Sequence, residues 1–146
     1  MKRLILFFSL CLCQSAAWAQ SADERVGHML NTSDWFALER EYPALKDSVH
    51  APFLRVMAES LAAVYFGRDD EAVSLIDSLV RNYQGDIGFD NTKNMVLIQA
   101  QTEARRQRYA KAAEIVGNFV SQVKAQTDQV DLRQPEVALH LYGIRS

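Results

Sequence analysis

The chain has 146 residues, 16 of them Lys or Arg and 18 Asp or Glu, giving a formal net charge of −2, and 49% are hydrophobic. That length makes one small domain with a modest core. Its mild acidity argues against nucleic acid and anionic membrane surfaces as partners, since both select basic patches.

Lys2 and Arg3 form a positive start, Leu4 to Cys13 an apolar run, and Ala17-Trp18-Ala19 a small-x-small cleavage signal. Together they read as a signal peptide over residues 1–19, with the mature chain beginning at Gln20 or Ser21. The apolar run is too short to span a bilayer, which places an uncleaved anchor second. Leu10 and Leu12 stand before Cys11 and Cys13, where a lipoprotein would need a small residue. Cleavage removes both cysteines, so the mature chain is expected to lack any disulfide, thiol nucleophile or thiolate metal site in an oxidising compartment. It also removes Lys2 and Arg3, leaving 14 of the 16 basic residues against 18 acidic ones, a net charge of −4. The expectation is an exported protein, periplasmic or extracellular, with no nucleic-acid partner and no membrane insertion after signal cleavage.

The mature part has few strand signals. Its prolines are Pro43, Pro52 and Pro135, and apolar residues recur at helical spacing. Six or seven helices are predicted. The first is short, about Ala22 to Leu30. The second follows Thr32 or Ser33 as N-cap, with Asp34 in its first turn, and ends near Pro43. The third opens at Pro52, where a first helical turn tolerates proline, and stops at Gly67. The fourth begins at Asp69, whose neighbours Asp70 and Glu71 suit the positive end of the dipole, and runs to about Tyr83. Gln84 to Asp90 reads as a long connection turned by two glycines, with Ile87 and Phe89 tucked against the core. Helices follow over Asn91 to Gln107 and Tyr109 to Gln126. A polar stretch, Thr127 to Gln134, precedes a last helix from Pro135 to Tyr142.

The strongest pattern is a repeat. Ala72, Val73, Leu75, Ile76, Leu79, Val80 and Tyr83 recur forty residues on as Ala112, Ala113, Ile115, Val116, Phe119, Val120 and Val123. Upstream, Ser60 stands over Ala100 by the same shift, and Arg68 over Arg108. A weaker shift of 34 relates Trp35 to Asp69 and Leu38 to Ala72. The third helix carries its own stripe at Phe53, Val56, Met57, Ser60, Leu61 and Val64, and the fifth at Val96, Leu97, Ala100 and Ala104. Such a pattern predicts three helix hairpins, each unable to cover its apolar face alone.

These positions resemble tetratricopeptide repeats over Ser33 to Gln126. Ser60 and Ala100 match that family's small residue where two helices touch, Gly67 and Tyr109 its turn, and Ala72 and Ala112 its second-helix alanine. The family's tryptophan is replaced by Val56 and Val96, and its closing proline is absent after Leu79 and Phe119. The resemblance implies an all-α fold of antiparallel helix hairpins, stacked as a short tetratricopeptide-like right-handed array. The repeat domain would span residues 20–126, leaving 127–146 as a polar connection and C-terminal helix that begins a further segment. A plain helical bundle is the alternative.

A narrower resemblance covers nearly all of the mature chain. The run from Ser33 to Ser48, with Met57-Ala58-Glu59, Ile87-Gly88-Phe89-Asp90-Asn91-Thr92 and Arg108-Tyr109-Ala110-Lys111-Ala112-Ala113, is similar to the N-terminal helical domain of exported bacterial retropepsin-like aspartyl proteases. In that family an Asp in an Asp-Thr/Ser-Gly turn of a later β domain activates water beside a second carboxylate. Neither tripeptide occurs here. Asp47-Ser48-Val49 and Asp77-Ser78-Leu79 lack the glycine, so no catalytic residue carries over. The resemblance implies a truncated accessory or docking portion of such a protease, whose partner would be a neighbouring protease domain.

Other chemistry is sparse. His28, His50 and His140 lie too far apart in sequence for a local metal pair, and no nucleophile elbow, His-Glu-x-x-His or phosphate-binding glycine loop appears. No cofactor and no enzymatic activity are expected. Arg105, Arg106 and Arg108 form a basic cluster, read either as a solvated turn or as a carboxylate anchor. The tetratricopeptide resemblance implies peptide binding on the face made by first helices. In the third helix that face carries Leu54, Met57, Leu61, Val64 and Tyr65, an apolar set that the first hairpin could bury. In the fifth it carries Asn94, Leu97, Gln101, Ala104 and Arg105. Asn94, Leu97, Gln101 and Arg105 are the candidate partner-binding residues, because amides pair with peptide backbone and an Arg fork grips carboxylate. The expected function is that of a non-catalytic module binding a protein or peptide partner.

Overall fold

A computed structural model describes residues 20–146, so the leader assigned to residues 1–19, with Cys11 and Cys13, lies outside the described residues. Among the described residues there are six α-helices, one 3-10 turn and no strand. No helix among them is long and apolar enough to cross a membrane. The chain divides into two compact units within its third helix, between Leu54 and Arg55.

The first unit opens with α1, Ala22–Asn31. Ser21 and Glu24 form a reciprocal capping box at its start, satisfying two backbone donors that the helix itself leaves free. Val26 and Met29, three apart, turn inward. Helix α2, Trp35–Leu45, buries Ala37, Leu38 and Tyr42. Its cap is Asp34, whose Oδ1 accepts from the Ala37 amide at 3.0 Å, and not Thr32 or Ser33. Ser33 cannot serve because the preceding turn holds it at a φ of 55°, whereas a cap residue sits on the extended side of the map. The helix also continues through Pro43 and ends two residues later, beyond the expected stop. It passes into a 3-10 turn at Lys46–Ser48 and then to the fully buried Val49. The Asp23 carboxylate of α1 accepts from the amides of His50 and Ala51 at 2.7 and 3.1 Å. That pins the chain just ahead of Pro52, which opens α3, Pro52–Tyr65.

In the second unit the fully buried residues of α3 are its small ones, Ala58, Ser60, Ala62 and Ala63. The bulkier Val56, Met57, Leu61 and Val64 of its stripe are half-buried. Helix α4, Asp69–Arg105, corrects the long connection expected at Gln84 to Asp90. Gly85 remains helical, and the axis breaks only at Gly88, with φ 78° and ψ 169°. Asn91 and Thr92 side chains donate to the carbonyls of Ile87 and Gly88, both at 2.8 Å, healing the break. Ile87 is buried, and Phe89 stacks on Phe119 with centroids 6.0 Å apart, so both residues do pack inward. Helix α5, Tyr109–Gln126, has the expected bounds, and α6, Arg133–Arg145, is longer at both ends than expected.

Helix α5 packs on α4 and on α6, and α4 touches α6. Their core joins Val96, Ala100, Ala112, Val116, Phe119, Val120, Val123 and Leu132. The forty-residue echo matches burial closely: Ala72 and Ala112, Ile76 and Val116, and Ser60 and Ala100 are all fully enclosed.

Three interhelical turns are alike. Ser33, Gly67 and Gln107 take φ values of 55°, 72° and 60°. Each next residue donates back five positions: Asp34 to Met29 at 2.9 Å, Arg68 to Ala63 at 2.8 Å and Arg108 to Glu103 at 3.0 Å. This left-handed closure satisfies carbonyls that a helix end strands. Trp35, Asp69 and Tyr109 then begin the next helices, so the turns recur with the 34- and 40-residue shifts of the sequence.

Candidate functional site

Asn94, Leu97, Gln101 and Arg105 lie on the second arm of α4, residues 89–105. The spacing of three, four and four sets them along one side of that helix. Asn94, Gln101 and Arg105 are exposed, and Leu97 is half-buried. The four candidates therefore share a face.

The basic cluster beside them is tied to carboxylates of the same unit. An Arg105 guanidinium nitrogen bonds Asp69 and one of Arg106 bonds Asp70, clasping the start of α4 to its end. Arg108 and Arg106 approach Oε2 of Glu103 at 3.6 and 3.7 Å. Glu103 is only 3% exposed, and that oxygen accepts no hydrogen bond. The two guanidinium charges still offset its burial, since an unpaired carboxylate there would cost several kcal/mol. Arg105 has other donors on its fork, but its first carboxylate is internal.

Leu97 opens onto a groove of about 700 Å³ between the second arm of α4 and α6. Its apolar wall is Leu97, Val137, Ala138, Leu141 and Tyr142, and Lys93, Asp131, Arg133 and Gln134 stand at its edge. Position of α6 follows from its inner side. Pro135 is buried, and the Leu139 side chain lies 3.6 Å from where a β-carbon on Gly117 would sit. Lys124 bonds Glu136 at 2.6 Å, and the Arg145 guanidinium stands 5.7 Å from the Tyr109 ring centre. Both Asp131 carboxylate oxygens accept from the Arg133 guanidinium, which holds its carboxyl well below the usual range. Burial pushes the Tyr142 phenol above 10.0.

A second hollow, about 830 Å³, lies among the first arm of α4, its second arm and α5. Its floor is Val96, Gln99 and Phe119, and the Gln99 amide donates to the Val73 carbonyl at 3.2 Å. Glu103 and its arginines close one end.

The histidines sit on α1, before α3 and on α6, and no group of three or more His, Cys, Asp or Glu among the described residues could hold a metal ion. Asp77 is exposed on α4 and bonds Arg81 at 2.6 Å, and Asp47 lies in the 3-10 turn.

The α6 wall of the groove was not among the candidates. The forty-residue shift could have found it, because it carries Leu97 onto Val137 and Gln101 onto Leu141. Comparison of the chain with family models, with curated proteins and with solved structures gave no match.

Proposed function

We propose that this chain is a non-catalytic, exported helical-repeat protein that binds a protein or peptide partner. The matched turns at Ser33, Gly67 and Gln107 support hairpins stacked as a short tetratricopeptide-like array. Export rests on the leader pattern alone. The observation that carries the binding reading is the stripe Asn94, Leu97, Gln101 and Arg105 running beside an apolar groove that exposes Val137 and Leu141. Amide and guanidinium donors beside an aliphatic wall suit a peptide, whose backbone wants hydrogen bonds and whose side chains want burial. The retropepsin-like resemblance gives that partner a second form, a neighbouring protease domain.

The test replaces exposed residues only. Arg105→Glu would set a carboxylate against Asp69 and loosen α4, so the informative variant is Asn94→Ala with Gln101→Ala. An affinity-tagged chain carrying both changes should keep its circular dichroism and lose partners that the wild type captures from envelope extract. Undiminished capture removes this stripe from the site.

A further inference from the structure

We infer that the hollow among the two arms of α4 and α5 is a second binding site, one that takes a short uncharged peptide segment in extended form. Val96, Gln99, Glu103 and Arg106 line it from the second arm, at spacings of three, four and three. That spacing sets them on the side of the arm opposite Asn94, Leu97, Gln101 and Arg105, so this site is separate from the stripe above and independent of it.

The floor holds two acceptors that lack donors. Glu103 is 3% exposed and Gln99 7%. The Gln99 amide nitrogen donates to the Val73 carbonyl, which fixes the other end of that side chain as oxygen. That oxygen accepts from no group among the described residues. Glu103 Oε2 is closed off beside Arg106 and Arg108, which stand at 3.7 and 3.6 Å, too far for hydrogen bonds. Its Oε1 also accepts none among the described residues and still meets solvent. Polar groups this deeply buried ordinarily have partners.

Their spacing selects the occupant. Gln99 and Glu103 are one helical turn apart, about 6 Å along the axis. On one edge of an extended chain the amide N–H groups of alternate residues recur about every 6.7 Å, so two of them reach both oxygens at once. A carbonyl on the same edge can accept from Arg108, whose guanidinium keeps only its long approach to Glu103. Side chains leave such a backbone toward the two walls, where Val73 and Val80 stand on the first arm and Ile115 on α5. The charges around the hollow are already matched. Asp70 bonds Arg106, Asp77 bonds Arg81, Lys111 bonds Glu114, and Arg108 approaches Glu103. An ammonium or carboxylate would lose its hydration here and gain no counter-charge, whereas a neutral backbone amide is matched.

The experiment uses the whole isotope-labelled chain and three peptides: N-acetyl-Ala-Leu-Ala amide, the same peptide N-methylated at both alanines, and Ala-Leu-Ala with free charged ends. In NMR titration the capped peptide should give saturable shifts at the Gln99 side-chain amide and at the backbone amides of Glu103 and Ile115. It should bind at least about tenfold more tightly than either of the others. Asn118→Trp, at the exposed rim, should abolish binding by filling the hollow while circular dichroism stays unchanged. Gln99→Met keeps the length of the side chain, removes the acceptor and should weaken the capped peptide about tenfold. Should that variant unfold, the N-methylated peptide on the wild type still decides. Equal binding of the capped and N-methylated peptides, no saturable shift, shifts centred on Leu97 and Leu141, or tighter seating of N-acetylglucosamine in the same hollow would each overturn the inference.

Discussion

The matched turns make a reciprocal prediction about two residues forty apart. Gly67 and Gln107 occupy the same left-handed position, yet only one is glycine. An L-residue held there costs roughly 1–2 kcal/mol over glycine. Glycine in turn loses about 0.5–1 kcal/mol through the extra freedom of its unfolded chain. Gln107→Gly should therefore stabilise the protein by about 0.5–1 kcal/mol, and Gly67→Ala should destabilise it by a similar amount. A β-carbon built at Gly67 meets nothing within 4 Å, so its cost is conformational and carries no clash. For a unit the size of residues 55–146, such changes shift the melting temperature by roughly 2–8 °C. Urea and thermal unfolding followed at 222 nm measure both variants. A destabilised Gln107→Gly, or a Gly67→Ala within error of the wild type, would refute the equivalence of the two turns.

Other outcomes follow from single contacts. Ala100 is fully enclosed where α4 approaches α5, so Ala100→Leu should cost about 1–3 kcal/mol in urea unfolding, whereas the exposed neighbour Gln101→Leu should stay within about 0.5 kcal/mol. Asp34→Ala removes the bond to the Ala37 amide and should cost about 1 kcal/mol, with Asp34→Ser recovering most of it. Hydrogen bonds from Arg40 and then Arg25 hold the Glu41 carboxyl below 4.5. Its stabilising contribution is present above its unfolded pKa and is lost as pH falls through the lower folded value; NMR titration should show that depressed midpoint, and Arg40→Ala with Arg25→Ala should return it to the ordinary range.

Residue spacing alone carried much of this architecture. The apolar stripes of α4 and α5 recur at helical intervals, and Ala72, Ile76, Ala112 and Val116 all proved buried. Pro52, Asp69 and Tyr109 open helices where local chemistry says they should. These features were legible because each depends on neighbours within a turn or two. Local signals also misled. Two glycines between Gln84 and Asp90 suggested a long loop, but the break is confined to Gly88, where two helical arms meet, and Ile87 beside it is buried. Pro43 suggested an end, yet α2 continues for two more residues.

The stripe Asn94, Leu97, Gln101 and Arg105 could be drawn on a helix from its numbers. What those residues face could not. The engagement of Arg105 with Asp69 joins positions 36 apart, and the groove needs Leu97 beside Val137 and Leu141. The break at Gly88 lets the two arms of α4 meet and brings Arg105 to Asp69, and the placement of α6 against the second arm brings Val137 and Leu141 beside Leu97. Periodicity fixes which side of a helix is greasy, because that depends on angle per residue. Which greasy side meets a neighbour, and which is left open, depends on where distant helices come to rest, and that is settled by tertiary packing.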